Sequence, residues 1–319
     1  MIITQTPLRV SFLGGNTDFS EYYTKYGGMV LTTTIDKYVY CIVHKRFDDL
    51  IIVNYTIKET VEKVDDLQHE LVREAMKLVG VTKGIEISFL SDIPAKGSGL
   101  GSSSSVTIGV LNALHQYKGE SVGARQLAQE AVRIEVEILK KPIGIQDQYI
   151  IAFGGLRWIY FKRSGSVIVR DVNPPAIDDL ANNLMLFYTG LTRKADTILS
   201  TFNVKKNVEL LHQNKQLAKK GIYALRGNKI YKFGKLMDSY WEIKRRLSDK
   251  ISNKEIDKMY QDAKDAGAIG GKILGAGGGG FLLLMVPENK RSMVRAKLIN
   301  YKELPFRLEK TGSRVIFNI

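Results

Sequence analysis

The segment Ile93-Pro94-Ala95-Lys96-Gly97-Ser98-Gly99-Leu100-Gly101-Ser102-Ser103-Ser104-Ser105 joins a predicted strand over 84–90 to a predicted helix over 102–117. Gly97, Gly99 and Gly101 let backbone N–H groups turn inward with no Cβ in the way. The serines then fall where the helix begins, beside unpaired amide donors and at the positive end of the dipole. Together these features make a phosphate cradle and point to a nucleotide as ligand. Serines at a helix start are commonly only caps, but four in succession exceed what capping needs. Lys96, inside the loop, either touches phosphate or is a solvated loop lysine.

Two carboxylates add to this. Over a predicted helix at 122–139, Ala128, Ala131 and Ile138 form an apolar stripe at helical spacing, and Glu135 lies on it. Arg133 and Glu137 fall off the stripe. An inward carboxylate has to be paired, for instance with an arginine, or bind a cation, because burying it alone is costly. Asp147 opens a short predicted helix, 147–153, that Gly154-Gly155 closes. That position favours an ionised carboxylate, and a plain helix cap would look the same.

The elements that must position these groups are legible from periodicity. Strand-like runs occupy 6–12, 30–34, 38–45 and 51–55, and a helix spans 66–79 before Gly80. A hairpin, 158–161 with 167–172, precedes Pro174-Pro175 and the acidic Asp178-Asp179, where a domain boundary is placed. This gives an N-terminal domain of residues 1–178 and a C-terminal domain of 179–319. The second half reads as a strand at 184–188, helices between 195 and 266, strands at 272–274 and 281–286, a helix at 290–301 and a last strand at 314–317. That is the order of a ferredoxin-like layer. The fold class is therefore α/β (α+β) with two domains, which suits 319 residues.

Composition narrows the function classes. The apolar and charged shares are those of a water-soluble globular chain, and no apolar run approaches the roughly 20 residues of a membrane span. The first residues lack the features of a secretory signal, and the single Cys41 excludes an internal disulfide, so a cytoplasmic protein is expected. A net charge of +14 would suit a polyanion. The basic residues are dispersed, though, and the clusters 205–206, 219–220 and 244–246 carry no interleaved aromatics. They read as solvated helix faces, and nucleic acid is not an expected partner.

Several familiar phosphate loops are absent: no Walker string occurs, and no protein-kinase signature. The run 275–280 fits Gly-x-Gly-x-x-Gly, yet a strand follows it where a dinucleotide site needs a helix. Three segments in order, 7–19, 93–105 and 272–281, instead resemble the three motifs of the galactokinase, homoserine kinase, mevalonate kinase and phosphomevalonate kinase (GHMP) superfamily. The resemblance covers nearly the whole chain. It implies a two-domain kinase with ATP and Mg2+ in a cleft between the domains, a mixed sheet with a left-handed strand–helix–strand unit, and a ferredoxin-like C-terminal domain.

Carried over residue by residue, the resemblance makes Asp147 the carboxylate facing the attacking hydroxyl, as general base or electrostatic orienter, and Arg9 the cation that offsets charge on the transferred phosphoryl. It places Ser103 near the metal and the phosphates, with Ser102 and Ser104 beside it, and makes Glu135 a metal ligand, direct or through water. Gly97, Gly99, Leu100 and Gly101 complete the phosphate loop. Asn16, Thr17 and Asp18 stand where sugar kinases grip the acceptor, and a carboxylate accepts from neighbouring sugar hydroxyls. Gly277 and Gly278 fall on the substrate side of the third motif. Gly14-Gly15-Asn16 departs from galactokinase. With 32–39 and 146–149 it looks like the branch of heptose 7-phosphate kinases, which act on the anomeric hydroxyl to give a 1,7-bisphosphate for nucleotide-heptose synthesis. Gly190 and Arg193, within 189–194, are candidates for contact with the sugar or its 7-phosphate, and Arg157, Lys194 and Lys37 are equal physical candidates. A fucokinase- or galactokinase-like enzyme and a non-catalytic ATP and sugar sensor are the alternatives, and a homodimer is allowed.

Overall fold

A computed structural model describes residues 1–93, 97–175, 177–192 and 202–319. Strand β1 (Ile2–Leu13) runs antiparallel to β2 (Gly28–Lys45), with α1 (Ser20–Tyr26) between them. The sequence suggests two strands over β2 because the charged Asp36-Lys37 interrupts the apolar pattern. The chain stays extended, and the register shifts there, Pro7 pairing with Tyr38 and Leu8 with Ile35. Two residues are bulged out opposite a proline that has no N–H to give a ladder.

The next elements are β3 (Ile51–Asn54), β4 (Lys58–Val61), α2 (Glu70–Val79), β5 (Ile85–Ser91) and α3 (Ser102–Tyr117). β3 and β5 pair in parallel; the other pairings described are antiparallel. α4 (Ala124–Val132) runs into a π-helical turn, Arg133–Ile138, before α5 (Gln146–Phe153). The hairpin of β6 (Leu156–Phe161) and β7 (Val167–Asp171) forms as expected. The large sheet has the order β12-β1-β2-β5-β3-β4, where β12 is Arg314–Asn318. β6 and the two-residue β11 (Leu308–Glu309) also pair with β2.

The second lobe holds α6 (Ile177–Asn182), β8 (Leu184–Tyr188), α7 (Val208–Arg226), α8 (Ile230–Arg245), α9 (Lys254–Asp265), β9 (Gly270–Ile273), β10 (Phe281–Met285) and α10 (Arg291–Lys297). Its sheet is β8-β10-β9, all antiparallel. The last strand is a correction. Element order assigns residues 314–317 to this second layer, but β12 pairs with β1, Ile2 opposite Asn318 and Gln5 opposite Arg314. The outer edge of β1 needs a partner, and element order alone cannot say which sheet a terminal strand joins. To the second sheet the C-terminal stretch adds an isolated bridge, Phe187 to Glu303.

One apolar core lies between the large sheet and α2–α5. Another spans the two lobes, setting Leu8, Val10 and Phe12 of β1 against Ala218, Phe233, Met237 and Leu283. The third lies within the second lobe. Among the described residues no helix is long and apolar enough to cross a membrane.

Candidate active site

The serine loop delivers α3 with its first turn open. Gly101 is the N-cap, in the left-handed region at φ 82°, and no side chain caps the helix. The four serine side chains divide their work. The Ser102 hydroxyl bonds that of Ser98 at 3.0 Å, Ser104 donates to Glu135 Oε2 at 3.0 Å, and Ser105 donates to the Pro7 carbonyl at 2.9 Å. Ser103 alone is exposed. None of the four caps the helix, so its amides remain available to an anion.

β1 sets Arg9 beside this turn, where a Cβ added to Gly101 would lie 3.0 Å from Arg9 Cγ. The backbone N–H of Arg9 donates to Leu100 O at 2.9 Å, and its Nη1 donates to Gly99 O at 2.5 Å. Its Nε and Nη2 grip Asp147 Oδ1 and Oδ2 at 2.6 and 2.5 Å. Three of five guanidinium donors are used, and each carboxylate oxygen keeps a lone pair. Asp147 lies in the first turn of α5, and its side chain is 22% exposed. The pair is thus anchored on one side and open on the other.

One residue further on, Gln148 donates to Glu135 Oε2 at 2.9 Å. Glu135 is fully buried, as the stripe predicts, while Arg133 and Glu137 are exposed. Ile138, expected on that stripe, is exposed. The π-helical turn advances the register, so Ile134 takes the inward place beside Glu135. Burial pushes the Glu135 carboxyl above its ordinary value, opposed by Thr107, Ser104, the Lys141 charge and Gln148. Its Oε1 has no partner, and no arginine meets it among the described residues. No three His, Cys, Asp or Glu side chains gather into a metal cage among the described residues. One carboxylate with a spare oxygen beside a serine-lined helix start is a hard-oxygen donor set. It suits a cation that keeps waters and takes phosphate oxygens, as Mg2+ does.

On the acceptor side, Asp18 is 1% exposed. Its Oδ2 accepts from Gln146 N and Nε2, both at 3.1 Å, and its Oδ1 has no partner among the described residues. Burial raises its pKa from 3.8 to about 6, helped by the charge of Asp147 and resisted by the Gln146 hydrogen bonds. Ser11 donates to Gln146 Oε1 at 2.8 Å, so one glutamine ties β1, Asp18 and α5 together. Gly15 leaves room here. A Cβ on it would come within 2.6 Å of Tyr240 Oη. Asn16 is left-handed at φ 69°. Thr17 is occupied otherwise. Its hydroxyl donates to Gly14 O and accepts from Met29 N, pinning the turn to β2.

The third motif closes over the second. A Cβ on Gly99 would sit 2.8 Å from Leu274 O, so backbone lies directly on backbone. Gly277 faces Ile251, whose carbonyl accepts from Gly278 N at 2.8 Å. Gly190 stands in a strap where Thr189 N donates to Gly280 O and Gly280 N to Leu191 O. Arg193, Lys194 and Lys96 lie outside the described residues. Arg157 pairs with Asp171 and donates to Gly154 O, and Lys37 pairs with Asp36.

Tyr240, Asn214 and the side-chain amides of Gln146 and Gln148 join the site without a role read from sequence, and Lys244 is a correction, because the 244–246 cluster reads as a solvated helix face and yet this lysine is buried. Lys244, 2% exposed, donates to Ile273 O at 2.8 Å and Gly275 O at 2.7 Å, and burial pushes it down to about 7, with Arg9 adding to the effect. A signal for it exists. Phe233, Met237, Tyr240 and Lys244 recur at helical spacing, the same pattern that marks Glu135.

Residues 59–155 match the family model "GHMP kinases N terminal domain", and residues 222–303 match "GHMP kinases C terminal". The chain is 33% identical to the D-glycero-alpha-D-manno-heptose 7-phosphate kinase of Campylobacter jejuni subsp. jejuni serotype O:2, over 92% of each chain. Its structure is similar to that of a D-glycero-D-manno-heptose 1-phosphate kinase from Bacteroides thetaiotaomicron (TM-score 0.83, 26% identity, covering 100% of this chain and 99% of that one). A putative sugar kinase of Campylobacter jejuni is also similar (TM-score 0.80, 30% identity, covering 98% and 97%).

Proposed function

The chain belongs to the GHMP kinases, and on that premise we propose that it phosphorylates the anomeric hydroxyl of D-glycero-D-manno-heptose 7-phosphate, giving the 1,7-bisphosphate for nucleotide-heptose and surface-glycan synthesis in the cytoplasm. It is a phosphotransferase with an alcohol acceptor, a sugar kinase of a family that uses ATP as donor. The observation that carries the site assignment is the two-point grip of Arg9 on Asp147 beneath the uncapped start of α3.

In this reading the amides of Ser102, Ser103 and Ser104 hold the β- and γ-phosphates. Arg9 turns its remaining donors to the transferred group, where charge changes most. Asp147 takes the proton of the attacking hydroxyl on the lone pair left free by Arg9. Asp18 accepts from a sugar hydroxyl through Oδ1, and Gln146 holds it in place. Glu135 and the Ser103 hydroxyl would hold Mg2+, which when bound neutralises charge on the phosphate oxygens. Gly190 and Arg193 stand for contact with the 7-phosphate end. Support for the heptose comes from the relative 33% identical over nearly the whole chain.

The deciding measurement is ADP release on a panel of heptose 7-phosphate, mannose, fucose and galactose, with phosphorus NMR locating the new phosphate. The expected result is preference for the heptose with phosphorylation at its anomeric oxygen. Preference for an unphosphorylated sugar overturns the heptose assignment and points to a fucokinase- or galactokinase-like enzyme. No sugar-dependent ADP release from any member would point to a sensor.

A further inference from the structure

Lys272 feels the charges of Asp18 and Asp147 and has no part in the phosphate-holding or proton-moving roles proposed above. It stands on β9, just before the glycine loop, and is 2% exposed. Its one hydrogen-bond acceptor among the described residues is Phe12 O at 3.4 Å, the long end of the range, and its ammonium rests 4.2 Å from the Tyr240 ring centroid. An ammonium has three donors, so this one is under-satisfied in a place where water is scarce.

Its surroundings are mixed in sign. Burial and the charges of Lys244 and Arg9 press its pKa well below that of an ordinary lysine, while the carboxylates of Asp18 and Asp147 act the other way. Two buried acceptors near the Gly15 turn lack donors among the described residues. Asp18 Oδ1 has none, and Asn214 Oδ1 has none, although Asn214 Nδ2 reaches Gly15 O at 3.5 Å. Both residues are buried and both are linked to Gly15, Asn214 through its Nδ2 and Asp18 through Gln146 Nε2, which with Tyr240 Oη lies where a Gly15 side chain would be. Spare donors on a buried cation and spare acceptors on a buried carboxylate and amide do not complete one another directly. A hydroxyl completes both, since its oxygen accepts while its hydrogen is donated.

Resting on the sugar-kinase reading, we infer that Lys272 is a substrate-binding residue: its ammonium donates to a hydroxyl oxygen of the polyol acceptor, and Asp18 accepts that hydroxyl's hydrogen. The second lobe thereby supplies a specificity-determining contact, and the aromatic face of Tyr240 fixes the height of the ammonium. An apolar acceptor would strand both charges, which selects for polyols.

The experiment uses the full chain with whichever sugar the wild type turns over, so failure of the heptose assignment does not disturb it. Lys272→Met keeps the stem over Tyr240 and removes the donor. The KM for sugar is expected to rise at least about 20-fold, within the range for a hydrogen bond to a charged group, with the KM for ATP within about twofold. A monodeoxy series sharpens this. In the wild type one deoxy position costs about tenfold or more, and in Lys272→Met that same position costs nothing further. In wild-type enzyme labelled with [15N]lysine, the Lys272 resonance shifts on adding sugar alone and stays in place with a non-hydrolysable ATP analogue, which decides the matter even if the variant fails to fold. An unchanged sugar KM, a rise confined to ATP, or a resonance that answers only to nucleotide overturns the inference.

Discussion

At the scale of single residues, the site concentrates groups that the fold holds against their preference. Asp18 is the plainest case. Its carboxyl has a pKa of about 6 in the fold against 3.8 ordinarily, so the folded state binds the proton more tightly than the unfolded chain does. This group's contribution to stability therefore falls as pH rises from about 4 to about 6, and is lowest above that. The difference corresponds to about 3 kcal/mol at neutral pH. Asp18→Asn removes the ionisation but leaves an amide donor to satisfy. The variant should be more stable than wild type by about 2 kcal/mol at pH 7.5, with the gap closing near pH 4. It should also bind sugar poorly, the exchange of function for stability common at binding sites. Thermal melts at the two pH values, with sugar KM measured alongside, check both halves. A variant no more stable at pH 7.5 would mean that the fold compensates the Asp18 charge through a further partner.

At the scale of elements, the glycine loop at 275–280 lies on the serine loop, and Lys244 on α8 is the tie. Its ammonium holds two carbonyls of 273–275, and that backbone touches Gly99. Lys244→Met deletes two charge-assisted hydrogen bonds and also a costly buried charge, effects that oppose each other in stability. Loop position has no such compensation. The KM for ATP is expected to rise about tenfold and the KM for sugar to stay within about twofold. A lower melting temperature with ATP binding unmoved would reduce Lys244 to packing. The sequence shows α3, the phosphate loop and buried Glu135 because each rests on a local pattern: glycine spacing, a serine run, one polar residue on an apolar stripe. It hides the bulge at Asp36-Lys37 and the π-helical turn, because a local shift of register leaves the surrounding apolar pattern nearly intact. Thr17 reads as a ligand until the structure shows Gly14 and Met29 occupying its hydroxyl.

At the scale of the whole molecule, two lobes share one apolar core and one site. Phe12 of β1 meets Phe233 of α8 edge to face at 5.5 Å, and Gly221 on α7 leaves space for Leu13. Arg9, Asp147 and Glu135 come from one lobe, Lys244, Tyr240 and Lys272 from the other. β12 returns from the second lobe to the edge of β1, bringing Ile319 N to Met1 O at 3.1 Å. Separate matches for the N- and C-terminal domains would suggest two unfolding events. The shared core argues for one, because neither lobe can open without exposing Leu8, Val10, Phe233 and Met237 together. Calorimetry should give a single transition, raised as a whole by sugar with a non-hydrolysable ATP analogue. Phe233→Ala should lower that one transition, at a cost of about 3–5 kcal/mol, without splitting it. Two peaks, with only the second-lobe peak moved by Phe233→Ala, would show that the lobes fold separately and that the core between them is a docking contact.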